Sequence, residues 1–195
     1  MWTRSDDTAL TGTRKMVEIV TRLLEAMPLG VFLLYLSFAR PEIRSAWREP
    51  YFVCAGLALL GQAALQVTGL IRHRIYLALA LYFICGAAAL ALDYRPLSDW
   101  YGEVEAAAML VWVAGVGIVT TVVSPGGFAG YAAASRRQTV AASLILLVVV
   151  LIATAVSFAG FGHPLWNAYA PFVAVFVAHA WLRDRLRRRD RARAA

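Results

Sequence analysis

The chain has 195 residues, of which 61% are hydrophobic and 16% are charged. Soluble domains are about 45–50% apolar and about 25% charged, so this composition excludes a soluble globular domain, and it is too apolar for a disordered chain. The chain has only two cysteines, Cys54 and Cys85, which excludes a disulfide-stapled secreted module. The composition therefore predicts an all-α fold, a polytopic bundle of transmembrane helices.

The N-terminal segment, residues 1–23, has no apolar core of a signal peptide before residue 16. Residues 16–27 read MVEIVTRLLEAM, in which polar and apolar residues recur at helical spacing. This pattern predicts a short amphipathic helix. The helix either lies at the cytoplasmic interface and bends near Pro28, or it simply lengthens the first membrane span.

Residues 24–182 form the predicted transmembrane bundle, because a span needs about 20 mostly apolar residues. A sixth segment, residues 24–39, is shorter and contains Glu25 and Pro28. We predict six spans, with five as the alternative. The five clear apolar segments are residues 51–71, 75–92, 104–124, 139–161 and 165–182.

The basic residues, 18 Arg and one Lys, are distributed unevenly between the two sides of this bundle. The segments on the N-terminal side hold 15 of them, and the opposite side holds four. Because positively charged loops stay in the cytoplasm, we expect a multi-pass protein of a bacterial inner membrane with both termini cytoplasmic. A five-span chain would place residues 1–23 outside, so the charge distribution favours six spans.

Two amide side chains, Gln62 and Gln66, lie four residues apart on one face of the second span. The same helix has small residues at positions 58, 61 and 69, which reduce its width there. Small and amide residues together are typical of a helix–helix contact. Contact with a substrate is the alternative.

The predicted outer loop, residues 93–105, reads DYRPLSDWYGEVE and combines carboxylates with Trp100 and Tyr101. Trp and Tyr at a membrane boundary are typical belt residues. Glu105 lies at the edge of the next span. If it lies at membrane depth, its carboxylate should face a cavity or a partner; if it lies at the interface, it is an ordinary solvated residue.

The sequence lacks HExxH, CxxC, GxSxG and phosphate-loop patterns. A haem site would need two histidines at one depth. His73 and His179 both fall on the N-terminal side, but His73 stands between two arginines, as in a turn that faces lipid headgroups. We therefore expect no catalytic residue, no metal and no cofactor.

The C-terminal tail, residues 183–195, reads RDRLRRRDRARAA. Such a run is either a topology anchor or a contact with anionic lipids at the cytoplasmic face. It lacks aromatic residues for base stacking, so we expect no nucleic-acid partner. The candidate lipid contacts are Arg183, Arg185, Arg187, Arg188 and Arg189.

The chain resembles the intracellular septation protein A family of bacterial inner-membrane-spanning proteins. The resemblance rests on MPLGVFLLY (27–35), IRHRIY (71–76), ALDYRPLSDWY (91–101) and HPLWNAYAPF (163–172). The last motif departs from the family's Trp-Val-Asn-Phe-Lys, since Trp166 and Asn167 are adjacent and no Lys follows. The resemblance implies a non-enzymatic protein of envelope synthesis, cell division or septation that acts through partner membrane proteins.

Two functional hypotheses follow from these patterns. The first is a scaffold or assembly protein that docks on other membrane proteins through its small-residue faces and its basic inner-side surface. The second is a small transporter or lipid-handling enzyme, with Glu105 and Gln62 lining a cavity. Transporters generally need buried titratable groups and often carry inverted repeats, and neither is evident in this sequence.

Overall fold

Helices account for all the regular structure in the described residues. The computed structural model describes residues 5–38, 47–70, 73–104, 106–133, 135–163 and 165–194, and within these ranges it contains no strand. This confirms the predicted all-α class. The elements are α1 (Ser5–Phe38), α2 (Arg48–Thr68), α3 (Arg74–Ala91), α4 (Arg95–Val104), α5 (Ala106–Val123), α6 (Arg136–Ala159), a π-helical turn (Leu165–Tyr169) and α7 (Ala170–Ala194).

Five of these helical stretches are long and apolar enough to cross a membrane: α2, α3, α5, α6 and the stretch Leu165–Ala192. They coincide with the five clear apolar segments of the sequence, and the chain is a multi-pass membrane protein. α1 is not among the five found in the described residues. The sixth span stays a prediction.

The helices pack mainly against their neighbours in the chain, in the order α1, α2, α3, α5, α6 and α7. Short connections between them make neighbouring spans antiparallel. One end of the bundle, which we call the basic end, holds the turn before α3 and the loop between α5 and α6. The opposite end holds α4 and the turn before α7.

α1 is one continuous helix that includes Pro28. The segment predicted to be amphipathic is helical, and it lengthens the helix that follows, as in the second of the two alternatives. Thr21 and Glu25 are buried against the bundle, whereas Met16 and Leu23 are exposed. The side of α1 that carries Glu25 is therefore the side that faces the protein.

The predicted outer loop contains a helix, α4, over most of its length. Its apolar residues recur at i, i+3, i+4 and i+7, which places them on one helix face. Tyr101 is buried, and Leu97, Trp100 and Val104 pack against the core. The Trp112 indole donates a hydrogen bond to the Tyr101 hydroxyl at 2.7 Å, which ties α4 to α5.

The loop between α5 and α6 is fixed to both helices. The Ser143 hydroxyl accepts the backbone N–H of Phe128 at 3.0 Å. Gly127 has φ +56°, and a Cβ there would lie 2.4 Å from Ser143 Oγ, so glycine is required. Arg136 donates to the carbonyl oxygens of Thr121 and Pro125 at 2.8 and 3.1 Å, which satisfies the end of α5. α7 packs against this loop.

Candidate functional site

Five polar side chains from three parts of the chain come together at the basic end. α1 and α7 contribute residues at spacings of three and four, which place each pair on one helix face. The fifth residue is the N-cap of α3. We call this group the basic-end cluster, and it consists of Arg22, Glu25, His73, His179 and Arg183.

Glu25 is the buried carboxylate of the cluster, with a side chain only 1% exposed. Its Oε2 lies 2.9 Å from Nη1 of Arg22. Its Oε1 accepts the backbone N–H of His73 at 2.7 Å. Hydrogen bonds to an ionised carboxylate are shorter and stronger than neutral ones. Glu25 therefore fixes α1 to the start of α3, and both of its oxygens have a partner.

The rings of His73 and His179 are in contact, with centroids 4.3 Å apart and planes inclined by 54°. A metal ion about 2 Å from a nitrogen of each imidazole would hold the ring centres roughly 6 Å apart, so this pair does not form an axial haem site. Within the described residues, no three His, Cys, Asp or Glu side chains form a group that fits a metal ion.

Burial and neighbouring positive charge keep His73 neutral. The pKa of His73 is lowered to about 3, mainly by burial and in smaller part by His179, Arg183 and Arg22. The Nδ1 atom of His73 is buried and has no hydrogen-bond partner in the described part of the chain.

Arg183 carries the unbalanced charge of the cluster. Its Nε is buried and unpaired, and the described residues include no carboxylate or other acceptor bonded to its guanidinium. Arg22 and Arg187 lie close enough to repel it. Nearby, Arg74 is directed to α5 and donates to the Ser124 hydroxyl at 2.9 Å. The only carboxylate in the cluster, Glu25, is already bonded to Arg22.

The small-residue face predicted on α2 is a helix–helix contact within the chain. A Cβ at Gly61 would lie 3.1 Å from the carbonyl oxygen of Leu24, so α1 already covers this face. Gln62 beside it is half-buried, and Gln66 is exposed. Gly69 lies outside this contact, at the C-cap of α2 with φ +66°.

Trp100 lies at the other end of the bundle from Gln62. Trp100 is half-buried on α4 and contacts the ring of Tyr101, with centroids 5.5 Å apart. Gln62 lies about 20 Å along α2 from its first residue, at 1.5 Å per residue. Glu105 falls outside the described residues, so its predicted role in a cavity remains a prediction.

The two predicted residues before α7 have different surroundings. Asn167 is buried, and its Nδ2 donates to the carbonyl oxygen of Ser157 at 3.2 Å. The Ser157 hydroxyl donates in return to the carbonyl oxygen of Asn167. Trp166 is 56% exposed and borders an apolar groove of about 340 Å³ between α6 and α7. Asn167 thus anchors the π-helical turn to α6.

The arginine tail forms the last turns of α7, which is helical without a break from Ala170 to Ala194. Leu182 and Leu186 are buried at 3% and 4% exposure, and they hold these turns against the protein. Four of the predicted lipid-contact arginines are exposed, whereas Arg183 is half-buried and belongs to the basic-end cluster. The exposed set, which we call the arginine ridge, consists of Arg185, Arg187, Arg188 and Arg189.

Sequence reasoning did not single out Glu25 as a site residue, and it gave His73 and His179 no role. A signal for Glu25 is present in the sequence, because an Arg three residues before a carboxylate in an apolar stretch forms a pair that helps the carboxylate enter a bundle. The contact between the two histidines depends on how α7 packs, which no local pattern specifies.

Comparison of the chain with protein-family models, with curated proteins and with solved structures gives no match.

Proposed function

We propose that this multi-pass protein acts without enzymatic activity as a scaffold or assembly partner for other membrane proteins, in the envelope synthesis or septation of a bacterium. The observation that carries the proposal is the arginine ridge. It is a basic surface on a helix that is continuous with a membrane-spanning stretch.

The part of α7 that carries the ridge is held in one orientation by contacts of Arg187 and of neighbouring residues with the rest of the protein. Leu186 is buried, Asp190 hydrogen-bonds the Tyr131 hydroxyl and raises the pKa of that phenol, and Arg187 lies over the Tyr131 ring at 5.9 Å. Arg188 also pairs with Asp184 at 2.6 Å. A preordered helix loses less conformational entropy on binding than a flexible tail, and this favours a docking role.

The chemistry of the ridge selects an acidic partner surface close to the membrane. Four exposed guanidinium groups within little more than one helical turn attract carboxylate clusters, and their long-range attraction weakens as salt is added. Anionic lipids compete for the same charges, at about 1 kcal/mol per basic residue near the surface. We therefore assign the ridge to a partner protein whose acidic face lies in the same membrane, and we keep the lipid as the alternative that the experiment must separate.

The test replaces all four ridge arginines with Gln in cells and places a photo-crosslinking residue at Ala192, which is exposed just beyond the ridge. We expect one discrete crosslinked protein partner in wild-type membranes. The fourfold variant should insert normally and lose that product, and it should fail to correct the cell-length defect of a strain that lacks the gene. Arg137→Gln, an exposed change at the same end, is the control and should retain both.

Two outcomes would reject this function. The first is an unchanged crosslinked product in the fourfold variant, which would mean that the ridge does not hold the partner. The second is crosslinking to lipid alone, with full correction of cell length by the fourfold variant, which would reduce the ridge to a membrane anchor.

A further inference from the structure

We propose that the basic-end cluster is a binding site for a phosphate group, which Arg183, Arg22 and His73 would hold between α1, α3 and α7. This site is separate from the arginine ridge and does not depend on the scaffold function. The shared chemistry is a phosphate monoester or diester, from a lipid headgroup or from free phosphate.

The first argument is charge balance. The cluster contains two guanidinium groups, one carboxylate and two imidazoles, of which His73 is neutral. Both oxygens of Glu25 are already bonded, one to Arg22 and one to the His73 backbone N–H. Among the described residues, no carboxylate is bonded to the half-buried guanidinium of Arg183. Buried charges in proteins are normally paired, so an anion beside Arg183 would balance the charge of the cluster.

The second argument concerns two nitrogen atoms that lack a hydrogen-bond partner. His73 Nδ1 and Arg183 Nε are both buried and have no hydrogen-bond partner among the described residues. An imidazole N–H and a guanidinium fork are donors that suit phosphate oxygens. His73 contacts the ring of His179, with centroids 4.3 Å apart, and Arg183 follows His179 by one turn of α7. The unsatisfied donors and the unbalanced charge therefore occur in the same place.

The third argument is position. The cluster lies where α2 ends and α3 begins, at the boundary of two helices that are apolar enough to span a membrane. Lipid phosphates lie at this depth in a bilayer, just outside the hydrocarbon core. A divalent metal ion is disfavoured at the same place, because Arg22 and Arg183 would repel it. Phosphate is the common membrane-surface anion that matches two guanidinium groups.

The experiment uses the full-length protein in a phosphate-free, uncharged detergent. One arm adds inorganic phosphate, with chloride at equal ionic strength as the reference, and follows the melting temperature. The other arm adds phosphatidic acid, with phosphatidylcholine as the reference, and counts bound lipids by native mass spectrometry. We expect saturable binding of one phosphate group per chain in at least one arm.

Arg183→Gln should weaken that binding by about tenfold or more, as expected for loss of a charge-assisted hydrogen bond. Arg137→Gln removes the same charge from an exposed position at the same end, and it should stay within about twofold of wild type, as exposed charges contribute little. Binding of inorganic phosphate would identify a soluble ligand, and binding of phosphatidic acid alone would identify a lipid headgroup. Either result supports the site if the binding depends on Arg183.

A measurement on the wild-type protein covers the case in which Arg183→Gln does not fold. Bound phosphate offsets the charges of Arg22 and Arg183, so it should raise the pKa of His73, which NMR of ¹⁵N-labelled histidine records. Glu25 and His179 also face His73, and the phosphate adds a negative charge to these neighbours. Absence of saturable binding in both arms, or equal weakening in the two arginine variants, would overturn the proposal.

Discussion

At the scale of single residues, His73 makes the stability of this protein depend on pH. Its pKa is about 3 in the folded chain and about 6.5 in an unfolded one. Below pH 6.5 the unfolded chain therefore takes up a proton that the folded chain does not, until the pH falls to about 3. Folding stability is fully present above pH 6.5 and is lost progressively as the pH falls.

We predict that the melting temperature in mild detergent decreases between pH 7 and pH 5, by an amount equivalent to about 1 kcal/mol per pH unit. His73→Gln should reduce this dependence without abolishing it, because Gln does not titrate while the buried His179 beside it remains. His163→Gln, at an exposed position, is the matched control and should behave like wild type. Parallel pH curves for His73→Gln and wild type would show that another group controls the acid sensitivity.

At the scale of helices, the closest contact between α1 and α2 centres on Gly61. A side chain there would meet the backbone of Leu24, with the carbonyl oxygen 3.1 Å from the new Cβ. Backbone atoms cannot turn away as a flexible side chain can, so a larger residue separates the two helices. This contact also fixes the depth of Glu25, the residue after Leu24.

We predict that Gly61→Leu lowers the free energy of unfolding by about 1–3 kcal/mol, as for overpacking of a filled core. Gly56→Leu is the matched control, because Gly56 lies on the same helix with nothing within 4 Å of its would-be Cβ. It should be neutral, or stabilising by up to about 1 kcal/mol through helix propensity. Equal melting temperatures for both variants would show that α1 does not pack on α2 at this depth.

Some of these helices can be predicted from the sequence and others cannot. Hydropathy predicted five spans because every residue in a lipid-exposed helix contributes to the signal. It missed α4, whose charged and turn-forming residues such as Asp99 and Gly102 mask an apolar face of four residues. The residues of that face, with Tyr101 at its centre, follow helical spacing, but a segment of ten residues gives too weak a periodic signal to be identified as a helix.

The candidate site was harder to predict than the spans, for a physical reason. Glu25 and Arg22 are close in sequence, so their pairing is a local property of α1. His73 and His179 meet only because α7 rests on the loop between α5 and α6, where the backbone of Ala129 hydrogen-bonds His179. Contacts of this kind depend on packing over the whole bundle, which periodicity does not encode.

At the scale of the whole molecule, the two ends of the bundle differ strongly in charge. The sequence segments predicted to share the N-terminal side hold 15 of the 19 basic residues. From the positive-inside tendency we predict that the basic end lies in the cytoplasm. This orientation also puts the arginine ridge and the basic-end cluster on the same side of the membrane.

We predict that reporter fusions after residues 130 and 195 are active as cytoplasmic reporters, and that fusions after residues 98 and 163 are active as external ones. Exchanging Arg136 and Arg137 for Gln should leave this pattern unchanged, because the tail still carries seven arginines. An external signal after residue 195 together with an internal one after residue 163 would reverse the orientation.

The meeting of α1 and α7 in one cluster has a consequence for how the protein is made. His73 and Arg183 are about 110 residues apart, so about 5 to 20 s separate their synthesis at about 5–20 residues per second. Throughout that interval the side of His73 that will face α7 is uncovered. Arrival of α7 covers this side of His73 with the ring of His179 and brings the positive charge of Arg183 next to it. A chain that stops before α7 therefore leaves this part of the bundle open, together with the surface of α6 on which α7 packs.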